Sequence, residues 1–555
     1  MQEIVDQING YVWSPALVYL CLGAGLFYTV LTRFVQVRLF REMVRLLFAN
    51  KSSDAGISSF QALSVSLSGR VGTGNIAGVA AAIGFGGPGA IFWMWIVAFL
   101  GSATAYIESA LGQIYKEEDE GEYRGGPAFY IEKAMGQKWY AWLFAVTTII
   151  ATGLLLPGIQ SNAIGNAVEL AFGGGEMLDT WFGPLSTTKL SVAIAVVAIL
   201  GFIIFGGVKR IAHFTQIVVP VMAFGYIVTA VVIIGMHISD LPDVFSLIFR
   251  EAFTVNALGG GAVFWGVKRG IFSNEAGQGT GPHAAAASEV DHPAQQGLVQ
   301  AFSVYIDTLF VCTATALMIL ITFSYNVHGT DGSMLVTNVL TNIDPNTPTY
   351  TQLAVESAFP GVGKPFVAVA LFFFAFTTLL AYYYIAETNV AYLRRFFTFP
   401  GELIVLKVAL MASVFYGTIR TASLAWGLGE IGVGLMAWLN IVAILILFFM
   451  GRPAIKALKD YEAQRKAGVE KYTFDPEALG IKNADFWKKY LEARAADGAS
   501  YSLLPRCVFY TAGRRRISLG HGSRCCALLP SINAPPAGPA MMVVGPGAWD
   551  CFFRK

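Results

Sequence analysis

Apolar runs recur along this chain near 12–32, 57–84, 89–114, 139–158, 190–206, 213–237, 263–286, 297–323, 364–391, 401–420 and 423–450. Each approaches the roughly 20 residues that a helix needs to cross a bilayer. Hydrocarbon offers the backbone no hydrogen-bond partners, so a chain built this way folds as helices that satisfy their own amides. Composition agrees: 55% of residues are hydrophobic and only 13% charged, about half the charge of soluble domains. The expected fold is an all-α polytopic membrane protein of about eleven spans. A net charge of +2 gives no reason to expect a nucleic-acid partner. Glu3 and Asp6 stand where a signal peptide would be basic, so the first run reads as a retained helix.

Lys and Arg orient the bundle, because they collect on the cytoplasmic side. They follow the first run (Arg33, Arg38, Arg41, Arg45, Lys51), the third (Lys116, Arg124, Lys133, Lys138), the fifth (Lys209, Arg210), the ninth (Arg394, Arg395) and the last (Arg452, Lys456, Lys459). The seventh is followed by Glu289 and Asp291 and does not discriminate. The pattern predicts a multi-pass protein of the cell's inner (plasma) membrane, N-terminus outside and C-terminus cytoplasmic. The expected segments are an N-terminal helix and basic loop (1–56), five spans (57–237), an extracytoplasmic connection (238–262), five more spans (263–450), a charged, helix-prone tail (451–501) and an atypical extension (502–555) whose Arg, Cys, Pro and Gly show no periodicity. Cys21 and Cys312 sit in apolar runs as small core residues; Cys507, Cys525, Cys526 and Cys551 crowd the extension without metal-binding spacing.

Two spans are interrupted. Ser68-Gly69-Arg70-Val71-Gly72-Thr73-Gly74-Asn75 breaks the second, and Ser273-Asn274-Glu275-Ala276-Gly277-Gln278-Gly279-Thr280-Gly281-Pro282 breaks the seventh. One such cluster is as readily a seam of small residues between helices. Two are harder to read that way, because each opens a set of five spans. Five is odd, so the second set lies inverted relative to the first. Paired interruptions at corresponding positions point to an inverted-repeat transporter with its site at the breaks. The exposed N–H groups of a half-helix suit a carboxylate, and the carbonyls at a half-helix end suit an ammonium group or a cation. Gly72 to Asn75 is therefore the candidate carboxylate cradle, and the backbone around Phe272 to Ala276 faces the amine. Glycine there permits close approach.

Other polar residues lie at membrane depth. Thr377 and Thr378 share an otherwise apolar run; on spacing alone, bonds to their own i−4 carbonyls are the simpler reading, and oxygen ligands for a hard cation the sharper one. Arg70, Glu108, Arg269, Glu275, Asp307 and Glu387 are expected to pair or face a cavity. A buried pair linking the two halves through Arg70 or Arg269 is expected. Asp307 is an alternative cation or proton path, and Glu108 and Glu387 read as reaching the interface. Gln160, Ser161, Asn162 and Gln216 read as helix–helix hydrogen-bonding groups, and His213, His283 and His292 as solvated helix ends. The segment opened by Gly125-Gly126-Pro127 reads as an interfacial amphipathic helix or a re-entrant element.

The stretches SGRVGTGNIAGVAAAI (68–83), GGPGAIFWMW (86–95) through Gly101, RGGPAFYIEKAMG (124–136), GVKRGIFSNEAGQGTGPHAAA (266–286) and FFAFTTLL (373–380) resemble the alanine/glycine:cation symporter family, in family order. The resemblance implies a leucine-transporter-type fold: a 5+5 inverted repeat plus one extra N-terminal helix. It implies uptake of alanine or glycine by Na⁺-coupled alternating access, without enzymatic chemistry. It places substrate at Gly72, Thr73, Gly74, Asn75, Phe272, Ser273, Asn274, Glu275, Ala276 and Gly277, and Na⁺ at Gly69, Gly72, Thr377 and Thr378. Tyr382 borders the pocket where relatives often carry Trp. The alternative is a proton-coupled transporter or exchanger on the same fold, with Asp307 or Glu275 carrying the proton.

Overall fold

The structure, a computed structural model, describes residues 2–502 apart from 49–52, 54, 181–182, 255–256, 258–260 and 330–332. Lys51, the four cysteines from 507 onward and the extension beyond Ser502 lie outside the described residues. The chain falls into two compact units, Met1–Ala495, which holds the apolar helices, and Ala496–Lys555, of which only the end of one helix is described.

The apolar runs became helices. In chain order these are α1 (Gln2–Val12), α2 (Pro15–Leu31), α3 (Phe40–Leu47), α4 (Ser59–Arg70), α5 (Gly74–Gly86), α6 (Ala90–Ile114), α7 (Pro127–Met135), α8 (Lys138–Phe172), α9 (Thr187–Ile204) and α10 (Gly207–Met236). There follow α11 (Leu241–Ala252), α12 (Ala262–Asn274), α13 (Gly281–Ala287), α14 (Pro293–Ile321), α15 (Thr349–Ala358), α16 (Gly363–Arg394), α17 (Glu402–Ile419), α18 (Ala422–Phe449), α19 (Pro453–Lys466) and α20 (Asp485–Ser502). Among the described residues, eight helices are each long and apolar enough to cross a membrane, and α1–α2, bent by 42°, makes a ninth. The broken segments α4–α5 and α12–α13 occupy the remaining two apolar runs.

The first run differs from expectation. Ser14 and Pro15 stop α1 and start α2, because proline suits a first helical turn and cannot continue a preceding one. Hydropathy alone does not set position in the bundle. In their most apolar windows α9, α10 and α17 bury only 28% of residues, whereas α16 buries 78% and α14 72%. These three helices form the outer layer, where lipid can solvate them. The helices that carry hydroxyls, amides and acids form the centre. There α12 and α14 both pack along α6, and α4 packs against α10 and α16.

Both breaks are real interruptions. The first runs through Val71 to Thr73, after which Gly74–Gly78 forms a π turn before regular helix resumes. At the second, Glu275 adopts left-handed backbone (φ 56°), and Gly277 and Gly279 follow at φ 87° and 83°. The two glycines take this conformation at no steric cost, while Glu275 bears a local strain of about 1–2 kcal/mol. A Cβ at position 279 would lie 2.6 Å from Pro127 Cγ.

Candidate functional site

The two breaks meet. A Cβ on Gly74 would lie 3.0 Å from Ser273 Cα and 3.2 Å from the Phe272 ring, so the first break touches the end of α12 backbone to backbone. Asn75 and Asp307 hold the junction. The Asn75 Oδ1 accepts from Gly72 N at 2.8 Å, and its Nδ2 donates to Asp307 Oδ1 at 2.6 Å. Ser273 Oγ donates to the same Asp307 oxygen at 3.1 Å, and Thr308 Oγ1 to the other at 2.6 Å. Asp307 sits in a π stretch of α14 (Tyr305–Cys312), which turns this carboxylate toward both breaks at once. Thr73 N donates to Gln160 Oε1 at 3.1 Å, so the kinked helix α8 supplies the next wall.

Several fully buried polar atoms here have no hydrogen-bond partner: Arg70 Nε and Nη2, Thr73 Oγ1, Asn274 Nδ2 and Glu275 Oε1. Orphaned groups at this depth are costly unless a ligand or ion completes them. They come from both breaks. Phe272 closes the junction on one side, its ring 4.7 Å from that of Trp426. Beyond this pair opens a cavity of about 220 Å³ lined by Trp265, Lys268, Arg269, Asn346, Trp426 and Glu430, among others.

The predicted cation ligands divide. Thr378 Oγ1 donates to Ser68 O at 2.7 Å as well as to its own i−4 carbonyl, and lies so near Gly72 that a Cβ there would collide with it. A Cβ on Gly69 would lie 3.2 Å from Glu275 Oε2. Gly72 and the carbonyl of Ser68 thus meet Thr378, whereas Gly69 faces Glu275. Thr377 does not join them; it bonds Phe373 O and Phe374 O at 2.9 and 3.0 Å and faces Met222. Of the residues predicted to hold substrate, Gly72, Thr73, Gly74, Asn75, Phe272 and Ser273 come together, with Asn274 and Glu275 beside them. Tyr382 is buried and faces Glu275 and Gln160. Ala276 and Gly277 turn away toward α6, near Gly101 and Thr104.

Some expectations are corrected. Glu108 does not reach the interface. Fully buried, its carboxylate accepts from Gly277 N (3.3 Å), Gly279 N (3.2 Å) and Asn440 Nδ2 (2.7 Å), so it satisfies the unwound backbone of the second break. The buried ion pair forms, but within the second half: Glu430 takes Lys268 at 2.7 Å and Arg269 at 3.0 Å. The halves are joined instead by Arg70, which donates to Gln300 O at 3.0 Å and to Ser303 Oγ, and lies in the field of Glu108, Glu275 and Asp307. His283 and His292 are buried, not solvated; His283 bridges Thr280 O and Asn389. Gln160 lines the junction, while Ser161 and Asn162 bond neighbouring carbonyls of α17 and Arg420 as expected. The helix after Gly126 buries Pro127 to Ile131 and abuts the second break, so it is not a surface helix.

A profile of the sodium:alanine symporter family matches residues 1–476. The chain is 56% identical to the putative sodium/proton-dependent alanine carrier protein YrbD of Bacillus subtilis, over 88% of this chain and 98% of that protein. It is 50% identical to the sodium/proton-dependent alanine carrier protein of Bacillus sp. PS3, over 80% and 97%. It is 40% identical to the probable sodium/glutamine symporter GlnT of B. subtilis, over 85% and 93%. In three dimensions it resembles a crystal structure of MhsT in complex with L-phenylalanine, with a TM-score of 0.50 at 14% identity, covering 72% of this chain and all of the other. That likeness speaks to the leucine-transporter-type fold alone.

Proposed function

Since the chain belongs to the sodium:alanine symporter family, we propose that its two broken spans form the seat at which alanine or glycine is carried together with Na⁺. The protein is a multi-pass, cation-coupled alanine carrier and performs no covalent chemistry. The finer reading is ours: Gly72 to Asn75 receive the carboxylate, the end of α12 at Phe272 to Glu275 faces the ammonium, and Na⁺ sits between Thr378 and the carbonyls of Ser68, Gly69 and Gly72. One observation carries it. Orphaned buried polar atoms from both breaks gather around a junction that Asn75, Ser273 and Asp307 lock together.

The cycle then follows from population shifts. Na⁺ and the amino acid together bind the occluded arrangement better than either does alone, so only the loaded carrier crosses readily. Each charge moved inward gains about 2.3 kcal/mol per 100 mV. We place the N-terminus outside, the C-terminus in the cytoplasm of the cell, and the two five-span sets as an inverted pair.

Labelled alanine and glycine uptake into proteoliposomes tests this. Uptake should require a Na⁺ gradient and should vanish in Asn75→Ala. A proton-coupled carrier is the second reading, favoured by the buried acids Glu108, Glu275 and Asp307 around a single guanidinium. Undiminished accumulation with choline in place of Na⁺ at fixed pH would establish it and remove the first.

A further inference from the structure

The ends of the two broken spans that lie on the same side as the C-terminal segment are zipped together. Ile57, just before α4, and Ser288, just after α13, form a parallel bridge: Ile57 N donates to Ala287 O at 3.0 Å and Glu289 N to Ile57 O at 2.9 Å. The first span's approach adds a second tie, Ser53 Oγ to Glu289 Oε2 at 2.8 Å. For the site to open toward this side, that seam has to part.

Residues 453–494 lie across it. At one end, α19 is anchored beside the first span and α3: Glu462 takes Arg33 and Arg38 at 3.3 and 2.7 Å, and Tyr461 donates to Glu42. At the other, α20 grips the link after α13. Tyr490 donates to Glu289 Oε1 at 3.0 Å, and Arg494 pairs with Asp291 at 3.0 Å. Trp487, fully buried, donates to Gln113 O at 2.8 Å. Lys116 donates to Ser288 O at 2.9 Å beneath the rings of Tyr123, Phe486 and Trp487. Burial alone would push Glu289 up; Lys116 and the hydroxyls of Tyr123, Ser53 and Tyr490 outweigh it and hold that carboxyl below its ordinary range.

We propose that residues 453–494 are a strap that locks the cytoplasmic seam of this carrier and must release its α20 grip on Glu289 and Asp291 for the site to open inward. The proposal rests on the transport reading above. A segment that binds one state and not the other shifts the population toward the state it binds. Fastened, the strap favours the inward-closed carrier; whatever detaches it speeds inward release.

The test is a tether. In full-length protein with Cys507, Cys525, Cys526 and Cys551 replaced by Ser, the pair Asp291→Cys and Arg494→Cys is joined by a bismaleimide with a reducible spacer. Joined protein should lose alanine uptake by about tenfold or more, regain it on reduction, and keep cation-dependent alanine binding in detergent. Uptake at the unjoined rate would overturn the strap. So would loss of binding together with uptake, since the tether would then have distorted the site. The converse variant, Trp487→Ala, should raise alanine counterflow by about threefold, and Tyr490→Phe should do so more weakly; unchanged counterflow in both would count equally against it. If the unjoined protein neither binds nor moves alanine, the transport reading fails, not the strap.

Discussion

Two adjacent threonines show how much is decided by the direction of one side chain. Thr377 and Thr378 are one residue apart on α16, so their hydroxyls leave the helix about 100° apart. Thr378 reaches the carbonyl of Ser68 at the first break, whereas Thr377 finds only its own helix and Met222. Of the two readings that spacing left open, Thr377 fits the local one alone, while Thr378 makes the local bond and also reaches the break, as the cation reading requires. We expect Thr378→Val to raise the Na⁺ concentration for half-maximal alanine uptake by about tenfold, equivalent to ~1.4 kcal/mol. Thr377→Val should change it by less than about twofold, because its bonds are local ones that weigh little in the net balance. Equal effects of the two variants in a Na⁺ titration would refute the assignment. The sequence contains both hydroxyls but not the phase of the helix, which is fixed by packing against α4.

At the scale of the element, the breaks themselves were legible and their support was not. Glycine clusters betray unwound backbone because they sacrifice helix stability where a continuous span would keep it. What satisfies the freed amides is another matter. Glu108 lies on α6, some 170 positions from the amides it accepts, at 3.2 and 3.3 Å. Nothing in its neighbourhood along the chain distinguishes it from an acid reaching for the interface. Trp426, whose ring packs tilted against Phe272 from α18, was equally invisible. Glu108→Gln keeps the shape but replaces one accepting oxygen by a donor that faces an N–H. Leaving such a buried group unsatisfied costs about 1–3 kcal/mol. Uptake should fall by about tenfold or more while the purified variant keeps its elution profile and melts a few degrees lower. A variant with full uptake would show that the second break stands without this carboxylate.

For the whole molecule, the eleven apolar runs located nearly every membrane helix to within a few residues, because hydropathy is a local property. The layering was not local: which helices face lipid became visible only once α9, α10 and α17 were seen at the rim. The tail's sequence is charged and helix-prone, but its docking on the seam depends on partners hundreds of positions away. That docking carries a pH prediction. His292, at the seam, faces Asp460 and Tyr461 of α19 and the ring of Phe474. Burial holds its imidazole below the ordinary value of about 6.5, although Asp460 opposes this. A detached His292 therefore binds protons more readily than a docked one, so docking is fully favourable above about pH 6.5 and weakens as pH falls below it. Hydrogen exchange of residues 453–494 should be flat from pH 8 to 7, after correction for the intrinsic rate, and accelerate toward pH 5.5; His292→Gln should flatten the profile.

Arg70 stands in the field of three carboxylates, Glu108, Glu275 and Asp307, all of them withdrawn from water. One guanidinium among three buried acids leaves room for a second positive charge at the junction. On the proposed reading the transported cation supplies that charge, and without it the buried acids must take up protons or stay uncompensated. The proposed coupling then needs no separate safeguard against idling, because the empty site is the one that its own electrostatics disfavour.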